Sequence, residues 1–264
     1  MSARLKVVVA GLGEIGKPLF ELISRHHDAI GVDVEPIAAP IGDVDVLHIC
    51  YPSQIPDFVA ETARYIQQFR ADLTIIHSTV AVGMTRAIAR RAQRPVVNSP
   101  VRGKHARMLE QLQHYVKFVG GTEQEAAARA AAHLESVGLK TRILSSCEAT
   151  ELAKLTETTY FGVLIAWAQE VERYCDSSGV AYDEVISFFR EIGYLPRVDY
   201  FPGVIGGHCV MPNIEILSDL YDSDILEAIK ASNARKIARD SCARAESPET
   251  ARPRAATVLS VASR

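Results

Sequence analysis

Short apolar runs alternate along the first half of the chain with longer segments in which apolar residues recur every three or four positions. The short runs predict β-strands, and the longer segments predict amphipathic helices. Strands are predicted over residues 5–11, 29–34, 44–50, 73–80, 95–98, 115–120 and 140–145. Helices are predicted over residues 15–26, 55–70, 83–93 and 122–138. Because the strands are apolar almost throughout, the pattern indicates a parallel sheet that helices cover on both faces.

The second half of the chain follows a different pattern. Residues 148–178 contain no helix breaker except Gly162, and they predict one long helix whose middle, TTYFGVLIAWAQE, is apolar on nearly every side. Such a helix has to be buried on several sides, within its own chain or against a partner. Further helices are predicted over 182–192 and near 214–240, with a loop rich in proline and glycine between them.

These patterns together predict an α/β protein. A Rossmann-type domain with a parallel sheet is expected over residues 1–146, followed by an all-helical domain with one long central helix over 147–240. The helical domain is expected to bind substrate and to dimerise through the long helix. Residues 241–264 mix Ala, Ser, Pro and Arg with little periodicity, so a disordered tail is expected there.

Composition excludes several classes of protein. The 264 residues carry a formal net charge of -3, so no global basic field attracts nucleic acid or an anionic membrane. The longest apolar stretch is about nine residues, whereas a spanning helix needs ~20. The apolar part of the N-terminus is too short for a signal peptide and runs into a glycine-rich turn. The five cysteines are odd in number and form no C-x-x-C pair, which favours reduced thiols in the cytoplasm and no metal site.

A dinucleotide-binding fingerprint follows the first predicted strand. Residues 11–16 read G-L-G-E-I-G and open the first predicted helix, and Asp33 ends the next strand 20 positions after Gly13. Gly11 permits the tight turn, Gly13 lets the backbone approach a pyrophosphate, and Gly16 lets helix and strand pack closely. The open alternatives are a glycine-rich turn of another α/β fold and a site for FAD.

The residues around Asp33 favour NAD over NADP as the cofactor. A carboxylate accepts hydrogen bonds from a ribose hydroxyl, and the residues after Asp33 are Val34 and Glu35 rather than an arginine that could pair with a 2′-phosphate. The segment 34–43 is too short for a further helix and strand, so the sheet edge near the adenine pocket is expected to be truncated. The residues predicted to bind the cofactor are Gly11, Gly13, Glu14, Ile15, Gly16, Asp33, Tyr51, Ser78 and Thr79.

Charged residues after the later strands are candidates for binding substrate. Arg102, Lys104 and His105 follow the strand at 95–98, where they either hold a phosphate or carboxylate or form a solvated basic loop. On the long helix, Lys154 and Thr158 are four residues apart and therefore share a face. Lys154 on this otherwise apolar helix either extends to solvent or belongs to a site.

The loop P-G-V-I-G-G-H-C at 202–209 is the most unusual segment of the chain. A cysteine between small residues and a histidine can become a thiolate nucleophile, which makes Cys209 a catalytic candidate and His208 a substrate-binding candidate. The alternative is a buried free cysteine in a glycine-rich turn.

The motifs GLGEIG, HSTV, ELAKL and PGVIGGHC occur in this order over about residues 5–240. Together they resemble the UDP-glucose/GDP-mannose dehydrogenase family, and GGHC is most similar to the members that form UDP-N-acetylmannosaminuronate. The resemblance implies that NAD oxidises the primary alcohol of a nucleotide sugar twice, giving a uronic acid. It also implies that Cys209 captures the intermediate aldehyde as a thiohemiacetal, that Lys154 stabilises the oxyanion, and that Thr79 lies beside the reacting centre. The long helix is implied to be the core of a homodimer.

The chain departs from this family's pattern at several positions. Thr158 stands where the family has Asn, Asn213 where it has an Asp that activates water, and Val101 where it has Glu. An Asn cannot act as a general base, so thioester hydrolysis loses its usual catalyst. The family also has a third, nucleotide-binding domain, and the chain is expected to lack it.

Three functions remain open from the sequence. The first is an NAD-dependent oxidoreductase that oxidises the alcohol of a sugar-derived or nucleotide-linked substrate in the crevice between the two domains. Its predicted catalytic residues are Cys209, Lys154, Thr79, Thr158 and Asn213, and its predicted substrate residues are Arg102, Lys104, His105 and His208. The second is a one-step dehydrogenase of the 3-hydroxyacid type, with Lys154 as the acid and base. The motifs S-P-V-R-G and K-x-x-x-T resemble motifs of that group. The third is a non-catalytic NAD-binding protein.

Overall fold

The structure is a computed structural model that describes residues 4–33, 42–103, 107–191, 201–207, 209–220 and 222–246. These residues divide by their contacts into two compact units. One unit lies within Met1–Tyr160 and Pro212–Asp222, and the other lies within Phe161–Met211 and Ser223–Arg264.

A seven-stranded sheet forms the centre of the first unit. Its strands are β1 (Lys6–Ala10), β2 (Asp28–Val32), β3 (Val46–Ile49), β4 (Leu73–Ile76), β5 (Val96–Asn98), β6 (Lys117–Gly121) and β7 (Thr141–Ile143). The strands lie side by side in the order β2-β1-β3-β4-β5-β6-β7. All seven predicted strands are therefore present, and β2 is the edge strand, in keeping with the short segment that follows it.

The predicted parallel sheet contains one antiparallel strand pair. The strands from β2 to β5 pair in parallel, but β6 runs antiparallel to β5 and parallel to β7. Parallel pairing requires a crossover that returns the chain to the edge where the previous strand began. In the described part of the connection between β5 and β6 lies one short helix, α4 (Met108–His114), which periodicity did not predict. It packs against the first helix of the chain.

Helices cover both faces of the sheet, because neighbouring residues of each strand point to opposite sides. Val7 and Val9 of β1 face one apolar core with α1 (Gly16–Ser24), α4 and α5 (Gln124–Ser136). Val8 and Ala10 face the other core with α2 (Phe58–Gln68) and α3 (Met84–Ala92). The predicted α/β fold with a Rossmann-type sheet is confirmed.

The predicted long helix is α6 (Cys147–Ser178), and the boundary between the two units falls within it. The second unit adds α7 (Tyr182–Arg190), whose Ile186 packs with Val171 and Cys175 of α6. Gln169 fixes two further segments of this unit, because its side chain donates to the Gly203 carbonyl at 2.7 Å and accepts from the Ser232 hydroxyl at 2.8 Å.

The helical stretch predicted near 214–240 is two helices, α8 (Val210–Leu220) and α9 (Asp224–Glu246). The Ser223 carbonyl accepts the first hydrogen bond of α9 from Glu227, so a serine stands at the position that most favours a helix start. Helix α9 also continues through residues 241–246, which were predicted to begin a disordered tail. The rest of that segment lies outside the described residues. Among the described helices, none is both long enough and apolar enough to cross a membrane.

Candidate functional site

The glycine-rich turn between β1 and α1 allows no side chain at either of its ends. Gly11 has φ of +90°, a region that favours glycine, and a Cβ there would lie 2.6 Å from the Tyr51 backbone nitrogen. A Cβ at Gly16 would lie 1.7 Å from the Gly11 carbonyl oxygen. The turn can close in this form only with glycine at both positions.

The middle of the same turn faces open space. A Cβ at Gly13 would meet no atom of the described structure within 4 Å, so the fold would tolerate a methyl group there. Ile15 stands at the N-cap of α1, and no side chain of the described residues caps this helix N-terminus. Open space beside a helix N-terminus suits a pyrophosphate, because the N–H groups and the helix dipole both attract anions.

Residues at the ends of neighbouring strands lie beside this turn. The backbone of Tyr51, after β3, contacts Gly11, and the Ser78 hydroxyl donates to the Tyr51 carbonyl at 2.5 Å. The Tyr51 hydroxyl shares a 2.8 Å hydrogen bond with Thr62, and burial raises the pKa of Tyr51. Asp33 is exposed directly after β2. The predicted cofactor role of these residues, together with Glu14 and Thr79, stays a prediction.

A cavity of about 160 Å³ lies near the start of α6. It is lined by Pro100, Arg102, Phe118, Thr150, Ala153, Lys154 and Glu157. The Lys154 side chain is only 14% exposed, and its Nζ lies 3.8 Å from a Glu157 carboxylate oxygen. Lys154 is therefore part of a cavity wall rather than a lysine that extends into solvent.

Glu157 joins the two cations of this cavity. Arg102 donates to one Glu157 oxygen from Nε at 2.9 Å and from Nη2 at 2.6 Å. The Arg102 guanidinium also lies 5.5 Å from the centre of the Phe118 ring. Sequence reasoning found Arg102 and Lys154 but missed Glu157, although its position three residues after Lys154 on a helix places both on one face. The cavity has two cations for one carboxylate, which suits an anionic ligand.

Thr158 and Asn213, two positions at which the chain departs from the family pattern, contact each other. The Asn213 side-chain amide donates to the Thr158 hydroxyl at 2.7 Å, and that hydroxyl donates to the Lys154 carbonyl at 3.1 Å. Asn213 is buried on α8, and Cys209 is exposed directly before α8 begins. The chemical roles predicted for these residues stay predictions.

Three predicted substrate residues, Lys104, His105 and His208, lie outside the described residues.

Glu151 of α6, which was not identified from the sequence, joins this helix to α3 within the first unit. Both oxygens of buried Glu151 accept hydrogen bonds at the start of α3, from Gly83 N at 2.7 Å and from Thr85 N at 2.8 Å. Burial raises the pKa of Glu151, and these two bonds oppose the rise. Glu151 therefore caps a helix distant in sequence, which is a structural role.

A chain of hydrogen-bonded histidines crosses the core of the first unit. His48 Nδ1 lies 2.8 Å from His77 Nε2, and His48 Nε2 lies 3.0 Å from His133 Nε2. At one end, His77 Nδ1 lies 3.1 Å from the Ser99 carbonyl oxygen. His48 and His77 are fully buried, and no group of three potential ligands among the described residues is arranged to hold a metal ion.

The Ser99 carbonyl fixes the direction of every bond in this chain. A carbonyl only accepts, so His77 Nδ1 carries a hydrogen and its Nε2 accepts from His48. His48 Nε2 then accepts from His133, which leaves His133 Nδ1 as a bare acceptor. That nitrogen is buried and has no partner. Every hydrogen bond within the chain of histidines can thus form with each ring neutral. Burial lowers the pKa of all three histidines, that of His133 to about 4.

Acidification is expected to destabilise the first unit through these histidines. Their pKa values are depressed from 6.5 in the fold, so their contribution is fully present above that value and is lost as pH falls toward the folded-state pKa. Between about pH 7 and about pH 5, the free energy of unfolding should fall by about 2 kcal/mol per histidine, as measured by urea titration. H133Q should reduce this dependence and H26Q, at an exposed histidine, should not. A pH-independent free energy of unfolding would contradict the neutral chain.

The fold and the glycine-rich turn define an α/β protein of the Rossmann type with a dinucleotide-type turn. Residues 148–238 match the model of the UDP-glucose/GDP-mannose dehydrogenase family, central domain. The resemblance predicted from the sequence is therefore confirmed, and this part of the chain is similar to the central domain of that family.

Relatives of known name agree with this match. The NDP-N-acetyl-D-galactosaminuronic acid dehydrogenase of Ralstonia nicotianae is 27% identical, over 77% of this chain and 62% of that protein. The UDP-N-acetyl-D-mannosamine dehydrogenase of Methanococcus maripaludis is 25% identical, over 78% of this chain and 59% of that protein. The chain thus spans about three fifths of the length of the curated relatives that it matches.

Solved structures share the fold. The UDP-D-ManNAc dehydrogenase of Pyrococcus horikoshii superposes with a TM-score of 0.79 at 24% identity, covering 92% of this chain and 71% of that one. A 3-hydroxyisobutyrate dehydrogenase of Mycobacterium tuberculosis superposes with a TM-score of 0.69 at 16% identity, covering 90% of this chain and 95% of that one. At these identities the likeness concerns the fold alone.

Proposed function

We propose that the protein is an NAD-dependent oxidoreductase that oxidises an alcohol of a sugar-derived or nucleotide-linked substrate. The observation that carries the proposal is the glycine-rich turn, where close contacts at Gly11 and Gly16 leave open space at Gly13 beside the amides of α1. Exposed Asp33 suits an unphosphorylated ribose, which favours NAD over NADP. Bound NAD would accept the hydride that leaves the alcohol carbon.

Lys154 and Arg102 have separate roles in this proposal. Arg102, held over Phe118, binds an anionic group of the substrate. Lys154 donates a hydrogen bond to the substrate oxygen and stabilises the alkoxide, which forms when the hydroxyl proton passes to water and becomes the carbonyl as the hydride leaves. Thr158 donates to the Lys154 carbonyl and so helps to orient the backbone that carries this lysine. The relatives named above act on nucleotide-linked sugars, which supports the same substrate class for this chain.

A finer proposal concerns Cys209 and a second oxidation. The Cys209 thiolate adds to the aldehyde carbon, and a proton from water joins the oxygen. The thiohemiacetal would lose a second hydride to a second NAD and its hydroxyl proton to water, giving a thioester. Water then hydrolyses the thioester, releasing the acid and the thiol. The exposure of Cys209 supports this route, and the amide of Asn213 leaves the water without a carboxylate base at that position.

Replacing Cys209 by serine is expected to stop the reaction after the first oxidation. The NADH formed per substrate should fall from about two equivalents to about one, with aldehyde as the product, because serine is a far weaker nucleophile. Product analysis by mass spectrometry would measure this. C242S, at another exposed cysteine, is the matched control. Full conversion to the acid by C209S would exclude the covalent route.

The size of the cavity beside Lys154 favours a second candidate function. About 160 Å³ is room for a small hydroxyacid rather than a nucleotide sugar. In this case Arg102 binds the carboxylate, Lys154 acts as acid and base, and a keto or aldehyde product accumulates after one oxidation. C209S would then have no effect. The third candidate, a non-catalytic NAD-binding protein, predicts NAD binding by calorimetry without NADH formation across nucleotide sugars, sugar acids and hydroxyacids.

Exposed aromatic residues on α6 support the proposal of a homodimer. Tyr160, Trp167 and Tyr174 are seven residues apart and 53%, 54% and 61% exposed. Residues at this spacing share one face of a helix, and burial against a second copy would remove them from water. No disulfide forms among the described cysteines, in keeping with the proposal of a cytoplasmic protein.

A further inference from the structure

A second cavity of the first unit, of about 350 Å³, lies beside α3 and contains three arginines. The residues that line it are Arg86, Ala89, Arg90, Gln93, Arg94, Pro95, Thr122 and Glu123. Arg86 and Arg90 are four residues apart on α3, so their side chains share one face of the helix. Arg94 follows shortly after the helix ends and reaches the same space. The proposed reaction uses none of the residues of this arginine cavity.

The arginine cavity lies away from the residues of the proposed site. Pro95 comes directly before β5, and Thr122, directly after β6, donates from its backbone nitrogen to the Val96 carbonyl at 3.1 Å. These residues mark the edge of the sheet at which the parallel strands begin. The glycine-rich turn and Arg102 follow the carboxyl ends of β1 and β5, which lie at the other edge. The arginine cavity is therefore a separate place on the first unit.

The arginine cavity carries more positive than negative charge. Arg86 pairs with Glu148, to which it donates from Nε at 2.6 Å and from Nη2 at 3.1 Å. In the described part of the chain no carboxylate pairs with Arg90 or Arg94, and both are exposed. Of the lining residues Glu123 is acidic, and it is exposed too. Three guanidinium groups thus face two carboxylates, which favours an anionic ligand.

A diphosphate group has the charge and the geometry that this arrangement requires. A guanidinium group binds two phosphate oxygens at once with its planar fork of N–H groups. Arg90 and Arg94, which have no carboxylate to compete, can therefore bind one phosphoryl group each. The volume of the cavity lies in the range of sites for small molecules, and Ala89 and Pro95 add apolar surface beside the arginines.

We propose that the arginine cavity binds a small molecule through a diphosphate group, which Arg90 and Arg94 contact. The diphosphate is either free pyrophosphate or part of a nucleoside diphosphate whose apolar part contacts Ala89 and Pro95. The proposal does not depend on the proposed function, because no residue of the glycine-rich turn or of the Lys154 cavity takes part in it.

The test is the protection of individual arginines from phenylglyoxal in the full-length protein, measured by mass spectrometry. Phenylglyoxal modifies accessible guanidinium groups, so a bound diphosphate slows the reaction only at the arginines that it contacts. Saturating inorganic pyrophosphate should slow the modification of Arg90 and Arg94 by about tenfold or more, the scale of hydrogen bonds to a charged group. Arg91 is the internal control, because it is exposed on the same helix but does not line the cavity, and its rate should not change.

Calorimetric titration of variants with pyrophosphate gives the contribution of each arginine. R90Q and R94Q should each weaken binding at this site by about tenfold, because each loses charge-assisted hydrogen bonds. R91Q removes the same charge from the same helix without removing a contact, so its affinity should stay within about twofold of the wild type. All three arginines are exposed, so the substitutions should leave the fold intact.

The outcomes separate this site from a general attraction of anions. Unchanged reactivity of Arg90 and Arg94 in the presence of pyrophosphate would overturn the proposal. Equal protection by sulfate at the same ionic strength would overturn it as well, since it would show an adventitious ion only. Stronger protection by ADP than by pyrophosphate would support the site and identify a nucleotide as its ligand, whereas equal or weaker protection by ADP would identify the inorganic ion.

The same experiment distinguishes the arginine cavity from the proposed substrate site. Protection of Arg102 without protection of Arg90 and Arg94 would place the diphosphate in the Lys154 cavity and overturn the proposal. Protection of Arg90 and Arg94 in a protein that does not bind NAD would support the arginine cavity and refute the proposed function.

Discussion

Replacing Lys154 by methionine is expected to lower kcat by about a hundredfold or more while leaving NAD affinity unchanged. Methionine has a similar length but offers neither a charge nor a donor to the alkoxide oxygen that forms when the alcohol loses its proton. Loss of one such donor costs about 10²–10³ in kcat, and loss of an acid or base costs about 10²–10⁴. The measurement is NADH formation with the best substrate of an alcohol screen, together with calorimetric titration of NAD.

The control for Lys154 is K140M, which removes a lysine from an exposed position of the same unit. It should retain wild-type kcat. A kcat of K154M within about tenfold of the wild type would refute the role given to this lysine in both candidate reactions, because each of them needs it at the reacting oxygen.

Two glycine substitutions should separate cofactor binding from folding. G13A adds a methyl group to open space, so the fold should be unaffected, but the methyl occupies the volume that a pyrophosphate needs. NAD affinity should fall by about a hundredfold, as expected when two hydrogen bonds to a charged group are weakened. Calorimetry measures the affinity, and thermal unfolding without ligand shows that the fold is intact.

G16A should act on the fold instead. Its methyl group would lie 1.7 Å from the Gly11 carbonyl oxygen, so the turn has to shift. The free energy of unfolding without ligand should fall by about 1–3 kcal/mol, the usual cost of overpacking. Wild-type NAD affinity in G13A would remove the main support for the proposed function, whatever G16A does.

Most secondary structure could be predicted from local pattern, because a strand or helix imprints its own period on the residues that form it. The seven strands and the long helix α6 are examples. The short helix α4 was missed because seven residues give too few turns to show a period. The break between α8 and α9 was missed because Ser223 is a single-residue signal.

The candidate site was predictable only where its residues are close in sequence. The turn at residues 11–16 and the pair Lys154 and Thr158 fall in this class. The contacts of Thr158 with Asn213 and of Arg102 with Glu157 join residues 55 positions apart, and no spacing rule connects them.

The sequence by itself determined the elements, the glycine-rich turn and the lysine-bearing face of α6, because each depends on neighbours within a few residues. Only the tertiary structure decided that β6 turns antiparallel, that three histidines form one neutral chain, and that Glu157 joins Arg102 to Lys154. Those contacts depend on the order of strands in the sheet and on the packing of α6. Strand order and helix packing depend on how apolar surface is buried over the whole unit, and neither produces a periodic pattern along the chain.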